Sequence, residues 1–284
     1  MAASETRTRV LVAVPGVVLA VAAGYAGGWA LAALLAVFAA LIARELLGMA
    51  ARKGPRPLTG VGMAGAAAVV LGAATAPADG LANPLPAAFL VLLALLAGVA
   101  AIWARGAEGE PLLSVAVTVF GAGYAALGAF ALFLRHLPGV DDAGHGAALL
   151  FAPVLLTWAS DTFAYFGGRA FGRRKLIPRV SPGKTVEGAL SGLVGSVAIG
   201  AGYALFLARF DGYVPGVLEG AVLGLVVSVT GQLGDLVESL WKRDVDVKDS
   251  GTLLPGHGGA LDRFDSLLFT LPVGYGFFRF VVGL

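Results

Sequence analysis

The sequence has no cysteine and only three histidines among its 284 residues. Without thiols there can be no disulfides, no thiolate nucleophile and no cysteine-ligated zinc. His136, His145 and His257 share no paired spacing, which argues against a histidine-based metal site. The chain is therefore restricted to chemistry carried by oxygen ligands, carboxylates and cationic side chains.

Charge is also scarce. Charged residues make up 13% of the chain and hydrophobic residues 58%, whereas about a quarter of a soluble domain is charged. The mean hydropathy is +0.85. One water-soluble core cannot hide this much apolar surface, so the composition predicts a membrane protein.

Apolar runs long enough to cross a bilayer recur along the chain, and no alternating strand pattern accompanies them. Lipid leaves no water for backbone groups, so we expect an all-α polytopic fold. Although the first run could be a signal peptide, the second follows it at once, and we expect both to be membrane helices. The nine predicted spans are Val10–Ala23, Gly28–Leu47, Gly60–Ala76, Pro84–Trp103, Leu112–Leu134, Ala147–Gly168, Val186–Leu207, Pro215–Leu233 and Leu267–Val282.

The basic residues predict an orientation, because cytoplasmic loops are enriched in Lys and Arg. With a cytoplasmic N-terminus, only Arg135, Arg209 and Arg279 fall outside. We therefore expect a cytoplasmic N-terminus, an external C-terminus and a polar site on the cytoplasmic side of the cell membrane. We assign residues 1–140 to N-terminal transmembrane helices and residues 141–284 to a catalytic transmembrane region.

The first polar cluster spans Ser160–Gly188. Asp161 lies in an apolar stretch, where an ionisable group is costly and is either functional or paired with a neighbour. The basic run Arg169–Arg179 fits the positive-inside pattern beside anionic lipids. Ser181, Lys184 and Thr185 could surround a phosphate at the start of the helix that follows, although the spacing is not that of a Walker A loop.

The second cluster spans Gly231–Ser266. On a helix, Asp235, Glu238, Ser239 and Lys242 share one face, because they are three, four and seven residues apart. A solvated helix end would explain Asp244 and Asp246 but not Asp235, which follows an apolar run. The glycines and proline of Pro255–Gly259 predict a loop, after which Asp262, Arg263 and Asp265 open the last helix.

Carboxylates without cysteine or a histidine pair favour Mg²⁺, and the adjacent Lys and Arg residues favour phosphate. Together they indicate phosphoryl or nucleotidyl transfer onto a lipid.

The C-terminal motif resembles the signature of the phosphatidate cytidylyltransferase (CDP-diacylglycerol synthase) family, S-x-x-K-R-x-x-x-x-K-D-x-G-x-x-L-P-G-H-G-G-x-x-D-R-x-D. It runs from Ser239 to Asp265, and two further blocks, SPGKTVEG and Asp161–Gly172, are also similar to the family. The departures, Trp241 and Ala260, carry no reactive group. The resemblance is sharp over Ser160–Asp265 and only topological over the first half.

This resemblance implies transfer of CMP from CTP to phosphatidic acid, with Mg²⁺, a homodimer and contact with membrane lipids, but no nucleic-acid partner. Carried over by position, Asp235 and Asp262 would gather the metal, and His257 would donate to phosphate or act as a general acid, the donor role being favoured. The expected catalytic residues are Asp235, Lys248, Asp249, His257, Asp262, Arg263 and Asp265. The expected substrate-binding residues are Asp161, Arg169, Ser181, Lys184, Thr185, Glu187, Ser239, Lys242 and Arg243.

Two alternatives remain open from the sequence. A CTP-dependent polyprenol or phytol kinase would move the terminal phosphate of CTP to an alcohol, and the full signature argues against it. A transporter would place its polar groups midway across the membrane, whereas here they gather at the cytoplasmic edge.

Overall fold

The computed structural model describes residues 2–210, 215–251 and 258–284, with side chains from residue 14 onward. The chain forms two compact units. The first unit comprises Met1–Leu132 and Asp244–Phe264, and the second comprises Phe133–Arg243 and Asp265–Leu284. The predicted division at residue 140 concerned function rather than packing, and it stays a prediction.

The chain is mainly helical, as expected. In chain order the α-helices are α1 Ala2–Ala26, α2 Gly28–Ala51, α3 Thr59–Ala73, α4 Leu85–Ala104, α5 Pro111–Ala125, α6 Phe130–Arg135, α7 Ala143–Phe171, α8 Val186–Leu207, α9 Val217–Asp244, α10 Leu261–Phe264 and α11 Leu267–Gly276. Short 3₁₀ segments cover Pro77–Ala82 and Ala126–Ala129, and a π-helical turn covers Phe277–Val282.

Seven helical segments are long and apolar enough to cross a bilayer, counted over the described residues. They are Gly28–Ala51, Leu85–Ala104, Pro111–Arg135, Ala143–Phe171, Val186–Leu207, Val217–Asp244 and Leu261–Val282. The other two predicted runs correspond to shorter apolar helices, Val14–Ala26 and Thr59–Ala73. The chain is thus a multi-pass helical membrane protein.

The helical expectation is confirmed for the apolar segments, but the connection between α7 and α8 contains a short hairpin. Lys175–Ile177 (β1) pairs antiparallel with Ser181–Thr185 (β2), with Lys175 opposite Thr185. The hairpin is too short to show an alternating pattern, and β2 contains Pro182 and Gly183, which are depleted in strands. Because neither strand has a second neighbour, Pro182 can sit here without costing a ladder hydrogen bond inside a larger sheet.

In the first unit, α2, α3 and α5 pack closely because glycines face a large side chain. Leu47 of α2 occupies the space where a methyl group on Gly62 or Gly121 would otherwise lie. The Leu58 amide at the start of α3 donates to the Thr118 hydroxyl of α5 at 2.8 Å. These contacts hold α2, the helix that carries Arg44 and Glu45, against α3 and α5.

In the second unit, α8 packs backbone against backbone on α9. A methyl group on Gly200 would lie 3.2 Å from the Gly224 amide nitrogen and would overlap the Gly220 carbonyl oxygen. Such close packing through small residues stabilises helix pairs where no hydrophobic effect drives their association. It holds the first turns of α9 against α8.

The close packing of α8 on α9 at Gly200, here called the seam, predicts that Gly200→Ala lowers the stability of the protein. This is expected although alanine is the better helix former by about 0.5–1 kcal/mol. The added methyl group must push apart two backbones, and overpacking of this kind costs about 1–3 kcal/mol. Thermal unfolding in detergent measures the change. Gly202→Ala on the same helix is the matched control, because nothing lies within 4 Å of its added methyl group. Equal melting temperatures for the two variants would contradict the seam.

Candidate active site

A cavity of about 530 Å³ opens in the second unit among α7, the β-hairpin, α8 and α9. The structure brings five of the predicted site residues to its wall: Asp161, Arg169, Lys184, Thr185 and Asp235. Tyr165 and Gln232, which the sequence analysis did not single out, also line it. Charges of both signs therefore meet in one cavity at the ends of apolar helices.

An ion pair joins two sides of this cavity. The Lys184 ammonium contacts Asp235 Oδ2, and the two side chains are 27% and 32% exposed. The Ser239 hydroxyl, one turn along α9, donates to Asp235 Oδ1 at 3.3 Å. The predicted helix face of Asp235, Glu238, Ser239 and Lys242 is confirmed, because the Lys242 ammonium likewise donates to Glu238 Oε2 at 2.6 Å.

Two carboxylates face the α7 and α9 sides of the cavity. Asp161 and Asp235 both line it, and Lys184 is the cation paired with Asp235. The Asp265 carboxylate also accepts from the Ser266 amide at 2.6 Å. Like carboxylates held this close favour a cation between them.

The donor set of the cavity suits Mg²⁺ only if other oxygens complete it. In the part of the chain that the structure describes, no group of three or more His, Cys, Asp or Glu side chains is arranged to hold a metal ion by itself. Mg²⁺ does not need such a cage, since it binds through one or two carboxylates plus phosphate and water oxygens. The carboxylates of Asp161 and Asp235 therefore fit this ion in charge and in ligand chemistry.

The hairpin is held to the helices by residues predicted to bind substrate. Glu187 accepts from the backbone amides of Arg173 and Arg174 at 3.0 and 3.2 Å. The Arg243 guanidinium donates to the Val180 carbonyl at 3.4 Å. These contacts fix the turn that carries Ser181 and Lys184, so in this structure Glu187 and Arg243 shape the cavity from outside it.

Thr185 has two structural tasks at the hairpin–helix junction. As the N-cap of α8 its hydroxyl oxygen accepts from the Gly188 amide at 3.1 Å, which explains why the helix begins at Val186 as predicted. A methyl group on Gly168 would lie 3.0 Å from the same oxygen. The cap thus brings α7 and α8 together beside the cavity, where the Arg169 guanidinium donates to the Tyr165 hydroxyl at 3.3 Å.

A buried network of hydrogen bonds links the three helices that line the cavity. The Ser160 and Ser228 hydroxyls are 2.8 Å apart, and the Gln232 amide donates to Ser228 at 3.0 Å and to the Ala189 carbonyl at 3.2 Å. These bonds tie α7, α8 and α9 together. An amide within an apolar helix was the signal in the sequence that could have identified Gln232.

The remaining predicted residues lie in the first unit. Lys248, Asp249 and Arg263 are exposed there, whereas Asp262 is half-buried. Asp262 Oδ2 accepts from the Ser250 amide at 2.9 Å, from the Ser250 hydroxyl at 3.0 Å and from the Gly259 amide at 2.8 Å. His257 falls outside the described residues. Of the predicted loop Pro255–Gly259, Gly258 and Gly259 are described, and Gly258 has a φ of 81°, which is not helical.

A second cavity, of about 300 Å³, lies in the first unit between α2 and residues 247–251. Arg44, Glu45 and Arg52 line it from α2, and Asp249 lines it from the C-terminal segment. Glu45 was missed by the sequence analysis. The predicted metal ligands Asp235 and Asp262 belong to different units, so their pairing stays a prediction.

Comparison with known proteins decides the family. A model described as the cytidylyltransferase family matches residues 7–281, nearly the whole chain. The chain belongs to the cytidylyltransferase family. The resemblance inferred from the C-terminal motif is thereby confirmed, and it extends into the N-terminal half where the sequence analysis had found only a topological likeness.

Curated proteins similar to this cytidylyltransferase-family chain include the phosphatidate cytidylyltransferase of Bacillus subtilis, 47% identical over 131 residues, or 46% of this chain and 47% of that protein. The phosphatidate cytidylyltransferase of Haemophilus influenzae is 43% identical over 158 residues, 55% and 53% of the two chains. The uncharacterized protein YnbB of Escherichia coli is 42% identical over 168 residues, which are 58% of this chain and 51% of that protein. The chain spans about half the length of the curated relatives it matches.

Proposed function

We propose that this chain transfers CMP from CTP to phosphatidic acid, producing CDP-diacylglycerol and pyrophosphate. The observation that carries the proposal is the cavity containing Lys184, Asp235 and Asp161 in a membrane chain of the cytidylyltransferase family. Two of the relatives above bear the name phosphatidate cytidylyltransferase. A membrane enzyme suits this reaction, because the acyl tails need lipid while CTP arrives from water.

The main catalytic problem in this reaction is the repulsion between two negatively charged substrates, not the transfer of a proton. A phosphate oxygen of phosphatidic acid is already a nucleophile and forms a bond to the α-phosphorus of CTP. The bond from that phosphorus to the oxygen bridging to the β-phosphate breaks, and its electrons leave with pyrophosphate. Bringing two polyanions together is the obstacle, so positioning and fixed cations supply most of the catalysis.

The cavity offers those cations on one side and carboxylates on the other. Lys184 and Arg169 would contact phosphate oxygens, and the Thr185 hydroxyl and the backbone at Gly183 lie beside them. Asp235 and Asp161 would hold Mg²⁺, which when bound supplies further positive charge to the phosphates. Because Asp235 is paired with Lys184, substrate phosphates would compete with Asp235 for the ammonium.

The roles of the residues in the first unit rest on the resemblance alone. Asp262 is proposed as a further metal ligand, and Lys248, Asp249, His257 and Arg263, together with Asp265 of the second unit, as completing the nucleotide and phosphate site. The substrate-binding roles of Ser181, Ser239 and Lys242 are proposals of the same kind. The homodimer is too, and light scattering of the detergent-solubilised protein tests it.

We also propose that all nine apolar helices cross the cell membrane, with the N-terminus in the cytoplasm and the C-terminus outside. The support is the asymmetry of Lys and Arg between alternate loops. The hairpin and the segment 244–260 would then face the cytoplasm, where CTP is present.

Doubly labelled CTP tests the type of reaction. With purified protein and phosphatidic acid, we expect label from the α-phosphate to enter the lipid and label from the γ-phosphate to leave as pyrophosphate. This follows because the proposed bond forms at the α-phosphorus. A polyprenol or phytol kinase would instead move the γ label onto an alcohol, and that result would replace the proposed function with the alternative.

Asparagine substitutions test the carboxylates. Asp235→Asn and Asp262→Asn keep the size of each side chain but remove its charge, and we expect turnover to fall by about 10²–10³-fold or more, as for the loss of one key electrostatic group. Rates at several Mg²⁺ concentrations, with thermal unfolding as a check on folding, measure the effect.

Asp244→Asn is the matched control for both. Asp244 pairs with Lys53 at 3.1 Å, but both side chains are more than half exposed, and such pairs contribute little. Near-normal turnover is therefore expected. Wild-type rates and Mg²⁺ dependence in both Asp235→Asn and Asp262→Asn would remove these residues from the proposed metal site.

Because the natural chain has no cysteine, single cysteines report the topology without background. We expect cysteines at Arg174 and Lys248, both exposed, to resist an impermeant thiol reagent in intact cells and to react once the membrane is permeabilised. A cysteine at the exposed Arg209 should react in intact cells. The reverse pattern would overturn the proposed orientation.

A further inference from the structure

Glu45 is the one carboxylate on helix α2, next to Arg44 in an otherwise apolar span running from Gly28 to Ala51. An ionisable group in such a helix is costly unless it is paired or hydrogen-bonded. The side chain of Glu45 is half-buried. Its carboxylate accepts hydrogen bonds from residues that lie more than 200 positions further along the chain.

Both carboxylate oxygens of Glu45 accept hydrogen bonds from the C-terminal motif. Oε1 accepts from the Ala260 amide at 2.9 Å, and Oε2 accepts from the Leu261 amide at 2.8 Å. Oε2 also lies 3.0 Å from the Ser250 hydroxyl. Bonds from neutral donors to a charged acceptor are about twice as strong as neutral ones, so this carboxylate anchors the backbone where α10 begins.

Ser250 connects Glu45 to Asp262. Its hydroxyl is 3.0 Å from both Glu45 Oε2 and Asp262 Oδ2, and its amide donates to Asp262 Oδ2 at 2.9 Å. The ring contact of Phe38 with Phe264, at 4.7 Å between centroids, holds α2 and α10 together on the apolar side. The Ser250 hydroxyl has one proton and donates to only one of the two carboxylates at a time. Glu45 therefore determines the path of the backbone leading to Asp262, whereas the Ser250 and Gly259 amides orient the Asp262 carboxylate.

Two glycines of the motif leave space for the Glu45 side chain. A methyl group on Gly251 would lie 2.6 Å from Glu45 Oε1 and 2.9 Å from its carboxyl carbon. A methyl group on Gly259 would overlap both the Glu45 carboxylate and the Ser250 hydroxyl. Neither glycine has a positive φ, so the space taken by Glu45, rather than backbone conformation, requires glycine here.

We propose that Glu45 is a positioning residue, which holds the start of α10 through the Ala260 and Leu261 amides and so sets the position of the Asp262 carboxylate. The link to turnover rests on the proposed function, whereas the link to the conformation of the segment does not. Since both oxygens of the carboxylate already accept a backbone hydrogen bond and one of them also contacts the Ser250 hydroxyl, its role is to hold the motif and not to touch substrate. The N-terminal half of the chain thereby contributes to the arrangement of the C-terminal motif.

Hydrogen exchange of the metal-free protein in detergent tests the conformational part. In Glu45→Ala the amides of Ala260 and Leu261 lose their acceptors, and we expect their exchange to be about tenfold faster or more. Glu45→Gln keeps one acceptor oxygen, so one of the two amides should remain protected. Unchanged exchange in α4 shows that the variants are folded.

Gly251→Ala tests the same contact from the other side. Its added methyl group meets only Glu45 among the three nearest atoms, so it should speed exchange of Ala260 and Leu261 in the natural background. Combined with Glu45→Ala, it should add nothing, because the group it displaces is absent. Additive effects, or natural exchange rates in Glu45→Ala, would overturn the positioning role whatever the activity.

Turnover then tests the consequence for chemistry. Loss of a residue that orients a metal ligand costs about 10–100-fold in metal affinity or activity, so Glu45→Ala should need more Mg²⁺ for half-maximal CMP transfer while KM for phosphatidic acid changes little. Glu45→Gln should be intermediate. Glu108→Gln, which removes the same charge from an exposed loop, should behave as the natural protein.

The two proposals fail separately. If no CMP transfer occurs in any variant but the amides respond as described, the proposed function is wrong and the positioning role stands. If transfer occurs in the natural protein with the Mg²⁺ requirement unaltered in Glu45→Ala, Glu45 does not position a metal ligand.

Discussion

The structure depends on the cost of placing charged side chains within apolar helices. Acidic side chains near the ends of the apolar helices reduce this cost by finding partners. Asp235 pairs with Lys184 of the hairpin, and Glu238, which is 1% exposed, pairs with Lys242 one turn along α9. Glu45 instead accepts hydrogen bonds from the Ala260 and Leu261 amides and contacts the Ser250 hydroxyl. These requirements draw distant segments together, so the same bonds that satisfy the charges also build the polar cavities.

Glycine makes these partnerships possible by allowing backbone to approach closely. The chain contains 42 glycines, and several of them stand where a single methyl group would separate two elements. A methyl group on Gly188 would lie 2.9 Å from the Ala164 carbonyl oxygen of α7, and one on Gly234 would lie 2.8 Å from the Asp265 carbonyl oxygen. Both glycines lie beside acidic residues of the candidate site. Closely packed glycines and charged side chains therefore occupy neighbouring positions. In this way a chain with few charged residues can still bring several of them together.

Local patterns predicted local features well. The start of α8 at Val186 followed from the apolar run that begins there, and the shared face of Asp235 and Ser239 followed from helical spacing. The hairpin escaped prediction because its strands of three and five residues are too short for a period of two to emerge. Glu45 escaped because its partners lie more than 200 residues away, although the rule that drew attention to Asp161, a carboxylate in an apolar run, applies to it equally.

The path of the chain gives this long-range contact its importance. Neither unit is continuous in sequence, since residues 244–264 leave the second unit and pack with the first before the chain returns at Asp265. A division at residue 140 would therefore separate the motif around Asp262 from the helix that holds it. Residues 141–284 contain the full C-terminal motif, but they lack the carboxylate that fills the space beside Gly251 and Gly259. For this reason the N-terminal helices are better understood as part of the motif's support than as a membrane anchor alone.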